Sequence, residues 1–123
     1  MTRPLPRPYL IGYDIADKKR LSRVHAYVKE RAMALQYSVF LGVFDPRAVD
    51  RIVAGLAARI DPRRDDVRLY ALERDCRILT MGEPVFPTGI ALPGAAGGVR
   101  LRFEPYAGDR GVDRWGLVRR RDD

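Results

Sequence analysis

The chain has 123 residues, of which 46% are hydrophobic, and this length and composition predict one compact domain with its own core. One cysteine and one histidine exclude an internal disulfide and a zinc site built from these residue types alone. There is no run of about 18 apolar residues and no signal-peptide pattern, so we expect a cytoplasmic protein without a membrane segment.

The first predicted strand is YLIGYDI at residues 9–15, an apolar and aromatic run that we place in the centre of its sheet. Asp17 follows it as a candidate N-cap for a helix over residues 18–31, because apolar side chains recur there at helical spacing. The other face of this helix is basic. A strand followed by an amphipathic basic helix is therefore the first predicted unit.

The segment QYSVFLGVF at residues 36–44 alternates in polarity and predicts a strand with one buried side. Its wholly apolar face is formed by Tyr37, Val39, Leu41 and Val43. Asp45 followed by Pro46 predicts the start of a second helix, and the apolar stripe of that helix ends at Asp61 and Pro62.

Two further segments, residues 66–72 and 76–82, predict the last strands of the core. We interpret the element order as strand, helix, strand, strand, helix, strand. That order predicts a ferredoxin-like α+β fold, with two helices on one face of a four-stranded antiparallel sheet.

The composition changes after the predicted core, which we assign to residues 1–82. Residues 83–98 are rich in proline and glycine and predict an irregular connection. Residues 99–123 form a C-terminal extension with a basic tail and a short predicted strand at 99–103. A lone strand needs a neighbour, and the sheet edge of a second subunit would supply one.

Charge points to a polyanionic partner such as nucleic acid, since the net charge is +7. Residues 1–31 hold eight basic side chains against three acidic ones. An ordinary solvated surface would account for the same charges. The candidate nucleic-acid ligands that follow the first strand are Lys18, Lys19, Arg20 and Arg23.

Asp14 is the most unusual residue of the first strand, because a carboxylate there is costly to desolvate unless it caps a helix, pairs or binds a cation. An ion pair with Arg20 or Arg23 would explain it, whereas Asp17 is better placed to cap the helix. Mg²⁺ takes six oxygen ligands, of which one or two are usually carboxylates. Two copies of Asp14 across a two-fold axis would give a reasonable magnesium site, so this chemistry implies a homodimer.

Four other side chains belong to types that occur in functional sites. Ser38 and Phe40 share the less apolar face of the second strand, where Phe40 either belongs to the core or stacks on a base or at a dimer seam. We expect His25 to be partly exposed without a catalytic role. Cys76 is expected to be a buried small hydrophobic residue.

Four motifs in this order resemble the small "protein two" family of the CRISPR adaptation module, described as CRISPR-associated endoribonucleases. They are YLIGYDI at 9–15, DKKRLSRV at 17–24, QYSVF at 36–40, and DVRLYAL at 66–72 with Cys76 after it. The resemblance covers about the first 82 residues.

The resemblance implies a ferredoxin-like homodimer in which Asp14 of each subunit binds one Mg²⁺ between them. It also implies that Arg23, Ser38 and Phe40 match positions associated with nuclease function. Members are described as metal-dependent endonucleases on RNA, and some on duplex DNA. In the spacer-acquisition complex the dimer resembles a scaffold that bridges the integrase subunits and holds duplex DNA.

Some positions depart from the family pattern. Ala34 and Leu21 stand where many members carry basic residues. In the C-terminal extension, VRLRF at 99–103 or RWGLVRRR at 114–121 would cross to the partner's sheet or contact the integrase subunit.

Two functions therefore stay open, a metal-dependent nuclease that needs Asp14 and a non-catalytic DNA-binding scaffold that needs the basic surface. An RNA-recognition module has the same element order, but DVRLYALE lacks its basic, glycine and aromatic run.

Overall fold

The computed structural model describes residues 5–82 and 98–106. Its elements in chain order are β1 (Arg7–Asp14), α1 (Lys18–Lys29), β2 (Met33–Gln36), β3 (Val39–Phe44), α2 (Pro46–Ala57), β4 (Asp66–Ala71), β5 (Asp75–Thr80) and β6 (Arg100–Pro105). The strand order β2-β3-β1-β4 forms an antiparallel sheet. The helices pack on one face of this sheet, so the predicted ferredoxin-like fold is confirmed.

The positions of the second, third and fourth strands differ from the prediction. The strand predicted at 36–44 is two strands, β2 and β3, joined by a turn at Tyr37 and Ser38. The fourth strand of the sheet is β4, whereas the segment predicted at 76–82 forms β5 outside that sheet. The turn could not be predicted from the alternation of apolar residues, because the turn contains no glycine, proline or asparagine. Tyr37, predicted on the buried side, is 78% exposed.

Both helices begin at the predicted caps. The Asp17 side chain accepts a hydrogen bond from the Arg20 backbone N–H at 3.0 Å, and Asp45 accepts one from Ala48 at 2.8 Å. Pro46 occupies the first helical position, where its missing N–H is not needed. Among the described residues, no helix is long and apolar enough to span a membrane.

The main core lies between the helices and the sheet. Its buried members are Ile11, Tyr13, Val24, Val28, Phe40, Phe44, Ile52 and Leu56. Phe44 lies directly over Gly42 of the same strand, and a Cβ at Gly42 would collide with its ring. Glycine is therefore required at this position by packing.

The opposite face of the sheet is partly covered as well, so β3 is buried on both sides rather than one. Leu41 is completely buried there beneath Phe103 of β6. β6 pairs in parallel with β5 of the same chain, with Cys76 opposite Leu101. The strand predicted at 99–103 was expected to pair with the sheet of a partner subunit. It pairs instead with the edge of β5 in the same chain, which supplies hydrogen-bond partners for its backbone. The segment 114–121 lies outside the described residues.

A buried carboxylate joins the two turns at one end of the sheet. Asp65 accepts hydrogen bonds from the backbone N–H groups of Ala16 at 2.9 Å and Asp61 at 2.8 Å. It also accepts two from Arg20, with Nε at 2.8 Å and Nη2 at 3.2 Å. The Asp65 side chain is 0% exposed, and the Arg20 bonds are the largest cause of its pKa lying below the usual range. This cluster holds the β1–α1 turn against the α2–β4 turn.

Replacing Gly42 by alanine should destabilise the protein by about 1–3 kcal/mol, because the added Cβ forces the Phe44 ring out of its packed position. Urea unfolding of Gly42→Ala, Phe44→Leu and the double variant measures this as a double-mutant cycle. We expect Gly42→Ala to cost much less when Phe44 is leucine. An equal cost in both backgrounds would contradict the proposed collision.

Asp65→Asn should lower the stability at pH 7, and the deficit should shrink in acid. The folded-state pKa of Asp65 is depressed, so its contribution is present above the unfolded value of about 3.9 and is lost as the pH falls through the folded value. Unfolding measured at pH 7 and at pH 3 tests this. Asp50→Asn, an exposed carboxylate without a side-chain partner in the described residues, is the control. A deficit that does not change with pH would argue against the charged cluster.

Candidate metal and nucleic-acid site

Asp14 is the last residue of β1 and its side chain is exposed. Successive side chains of a strand alternate between faces, and Tyr13 packs into the core beneath the helices. Asp14 therefore lies on the other face, at the end of the sheet. In the described parts of the chain, its carboxylate takes part in no hydrogen bond or ion pair.

The structure does not show the ion pair or the helix cap that would explain Asp14 without a ligand. Arg20 bonds to Asp65 instead, and the helix cap is Asp17. Arg23 is exposed on α1, and no hydrogen bond or ion pair joins it to Asp14 in the described residues. The carboxylate of Asp14 is thus left available for a cation.

A second carboxylate faces Asp14 across the β1–β4 pair, since Asp66 is its direct partner in the register. Residues opposite one another have Cβ atoms about 4.5–5.5 Å apart, and like charges there are unfavourable. Arg68 offsets this repulsion, with Nη2 3.1 Å and Nε 3.2 Å from Asp66 carboxylate oxygens. The bonds to Asp66 are also the largest cause of the raised pKa of Arg68. Asp66 is therefore committed, while Asp14 is not.

The donor set of one chain is too small for a complete metal site. No group of three or more histidine, cysteine, aspartate or glutamate side chains lies close enough to hold an ion within residues 5–82 and 98–106. A carboxylate is nevertheless the hard oxygen ligand that Mg²⁺ prefers. The residues present fit the ion only if a second copy of Asp14, water and a phosphate complete the ligands.

Ser38 lies near Asp14, because its carbonyl accepts the Tyr13 backbone N–H at 3.1 Å. Phe40 is 1% exposed, and its ring stacks on Tyr13 with the centroids 6.1 Å apart. The alternative that left Phe40 free to stack on a base is therefore wrong, because no surface of its ring is open. Phe40 supports the strand end that carries Asp14.

His25 and Cys76 are both half-buried. The Tyr13 hydroxyl and His25 Nδ1 are hydrogen-bonded at 2.9 Å, and the imidazole meets Phe40 edge-on at 5.6 Å. Burial raises the pKa of Tyr13. The thiol pKa of Cys76 is raised by burial and by Asp75, which lowers its reactivity. Cys76 was expected to be fully buried and is not.

The basic residues after β1 separate into two groups. Lys18, Lys19 and Arg23 are exposed on α1 and make no side-chain ion pair in the described residues. Arg20 is the exception, because two of its donors are committed to Asp65. Leu21, at a position expected to be basic, instead packs against the main core.

Sequence reasoning missed Asp65 and the Asp66–Arg68 pair. The only local signal was the run DPRRDD at 61–66, whose first two residues were interpreted as the helix stop. A turn with three carboxylates in six residues indicates side chains that accept backbone N–H groups.

The fold and these residues can be compared with known proteins. A family model described as "CRISPR associated protein Cas2" matches residues 7–78. "CRISPR-associated endoribonuclease Cas2 1" of Nitrosomonas europaea is 40% identical over 86 residues, covering 70% of this chain and 82% of that protein. "CRISPR-associated endoribonuclease Cas2 2" of Thermodesulfovibrio yellowstonii is 36% identical over 75 residues, covering 61% and 82%. The crystal structure of Streptococcus pyogenes Cas2 has a TM-score of 0.51 and 28% identity, covering 55% of this chain and 87% of that one.

The family match begins at the first residue of β1 and extends into β5. It therefore includes Asp14, the whole four-stranded sheet and both helices. The resemblance expected from the sequence motifs is confirmed, and this chain belongs to the Cas2 family.

Proposed function

We propose that this protein is a homodimeric, Mg²⁺-dependent endonuclease that acts on RNA or DNA phosphodiesters and takes part in CRISPR spacer acquisition. The observation that carries the proposal is the free carboxylate of Asp14. The other acidic side chains that the structure describes at that end of the sheet have partners, since Asp17, Asp65 and Asp66 are all hydrogen-bonded. The names of the two relatives support the endoribonuclease activity.

Each residue has a defined part in this proposal. Asp14 of both subunits would hold Mg²⁺, which when bound supplies positive charge that polarises a phosphodiester and favours ionised water. Asp66 and Arg68 keep a neutral pair beside Asp14, so the local negative charge stays on one carboxylate. Lys18, Lys19 and Arg23 would bind phosphates of the substrate strand.

The homodimer follows from the same shortage of ligands. At this end of the sheet, the described residues of one chain offer one uncommitted carboxylate, and a two-fold axis near the exposed end of β1 would double it. In the described residues, β5 and β6 cover this face of the sheet around Leu41, whereas Asp14 at the end of β1 is exposed. The end of the face that carries Asp14 is therefore compatible with such an interface.

A non-catalytic scaffold is the second candidate, in which the dimer bridges integrase subunits and holds duplex DNA. One observation favours it specifically. In the described residues, no hydrogen bond or ion pair joins Asp14 to Arg23 or Ser38, and the Asp66 carboxylate opposite it is paired with Arg68, so no general base is aligned with Asp14. The net charge of +7 suits either function.

Asp14→Asn should abolish Mg²⁺-dependent cutting while the dimer stays intact. The rate should fall at least about 100-fold, since even outer partners of a metal ligand are worth about 10–100-fold. The assay is cleavage of labelled single-stranded RNA and duplex DNA with Mg²⁺ and with chelator, alongside size-exclusion chromatography. Asp50→Asn removes an exposed carboxylate elsewhere and should cut at the wild-type rate.

The outcomes of this assay separate the two candidates. Cutting that persists in Asp14→Asn would place the activity at another site. If neither wild type nor variant cuts, yet both bind duplex DNA and support spacer integration equally, the nuclease proposal fails and the scaffold function is retained.

A further inference from the structure

A basic groove lies between α1 and α2, on the helix side of the sheet and therefore on the opposite face from Asp14. It encloses about 340 Å³. Its lining residues are Tyr27, Arg31, Phe44, Ala48, Arg51 and Ile52. Two of these carry a positive charge and none carries a negative one, so the groove favours an anion.

Tyr27 organises the groove. Its ring lies 3.7 Å from the Arg31 guanidinium carbon and 4.1 Å from that of Arg59, measured to the ring centroid. Its hydroxyl donates a hydrogen bond to the Arg51 carbonyl at 3.3 Å. Gly55 makes this position possible, because a Cβ there would collide with the phenol of Tyr27. The Tyr27 side chain thus reaches from α1 to α2 and lies over Gly55, the one glycine of α2.

Arg31 is held in place before any ligand arrives. Its Nη1 donates to the Tyr27 carbonyl at 2.8 Å, and its guanidinium stacks on the Tyr27 ring. Glu30 lies 3.6 Å away, but its side chain is 72% exposed and does not line the groove. A fixed planar guanidinium loses little freedom when it binds an oxyanion.

Arg51 supplies the second charge. It is exposed, and its side chain makes no hydrogen bond or ion pair in the part of the chain that the structure describes. No acidic side chain lines the groove, so its two guanidiniums repel each other, and a shared anion relieves that repulsion.

We propose that this groove binds a backbone phosphate of a nucleic-acid strand between Arg31 and Arg51, with Tyr27 positioning Arg31. The inference rests on the proposed function, in that nucleic acid is the partner. Arg23 and Tyr27 lie four residues apart on one side of α1, and Arg31 follows two residues after the end of that helix, so a strand along α1 meets Arg23 and then the groove.

The ligand is a phosphate rather than a base because no aromatic surface is open for stacking. The Tyr27 ring is covered by guanidiniums, and Phe44 is buried at the floor of the groove. A contact made only to phosphate carries no sequence information, so binding here is independent of sequence.

The test is binding of a fluorescein-labelled duplex of about 30 base pairs, measured by anisotropy over a series of salt concentrations. The double variant Arg31→Gln/Arg51→Gln should bind at least about 10-fold more weakly at low salt. Its slope of log K against log salt should be shallower by about 1, as expected for one lost phosphate contact. The matched control is Arg63→Gln/Arg64→Gln, which removes the same charge from the exposed α2–β4 turn and should lose less affinity with little change in slope.

Gly55→Ala tests the positioning by Tyr27 without changing any charge. Displacing the ring should weaken duplex binding in the same direction as the arginine variant, though by less. Thermal unfolding of each variant checks that the fold is retained. Wild-type affinity in Gly55→Ala would overturn the positioning of Arg31 by Tyr27.

Three further outcomes are distinguishable. Equal losses in the groove and control variants would overturn the groove, since only total charge would then matter. If the groove variant binds the duplex with wild-type affinity but no longer binds a polyglutamate peptide, the ligand of the groove is an acidic protein and the nucleic-acid proposal is wrong. A wild-type protein that binds neither duplex DNA nor RNA would overturn the proposed function itself.

Discussion

The ion pair between Asp65 and Arg20 is the contact on which the candidate site depends. Asp65 belongs to the turn before β4 and Arg20 to the first turn of α1, and they are 45 residues apart in the chain. A buried carboxylate is stable only when its oxygens are satisfied, and here four donors from both turns satisfy it. The same contact fixes the chain directly after Asp14 and directly before Asp66. The register of β1 with β4 sets the two acidic residues opposite each other, and Asp65 holds together the turns that adjoin them.

The sheet separates two chemical environments through the alternation of its side chains. Tyr13 points to the helices and contacts His25 and Phe40, while Asp14 points to the other side. The α1–α2 groove lies on the first side and the carboxylate on the second. The contacts that hold a nucleic acid at the groove of one subunit therefore do not bring it to Asp14 of the same subunit. Holding and cutting would be separate capacities of one fold.

Local patterns were sufficient for the features that depend on neighbouring residues. The caps at Asp17 and Asp45, the helix periodicity and the strand before Asp14 all follow from side chains within one or two turns. Features that depend on distant residues could not be predicted. Arg20 was expected on the nucleic-acid surface, because nothing near it in sequence indicates Asp65 as its partner.

The errors in the strands have a similar cause. Alternating polarity predicts a strand but does not locate a turn that lacks glycine or proline, so β2 and β3 were merged. The same alternation predicted only one buried face for β3. The second face is covered by Phe103, which is far along the chain and leaves no signal near β3. The segment of β5 has the composition of a core strand, yet it pairs with β6 instead.

The groove is complete within one chain, whereas the proposed magnesium site is not. The groove takes one guanidinium from Arg51 of α2 and the other from Arg31, just after α1 of the same subunit, so its binding needs no partner. On the proposed function, the magnesium site needs Asp14 from two subunits, so cutting depends on the dimer. Dilution below the dimer dissociation constant would then remove cutting before it removes binding by the groove. On the proposed function, assembly would therefore control the chemistry, because a subunit that already holds a strand would become a nuclease only when a second copy supplies its carboxylate.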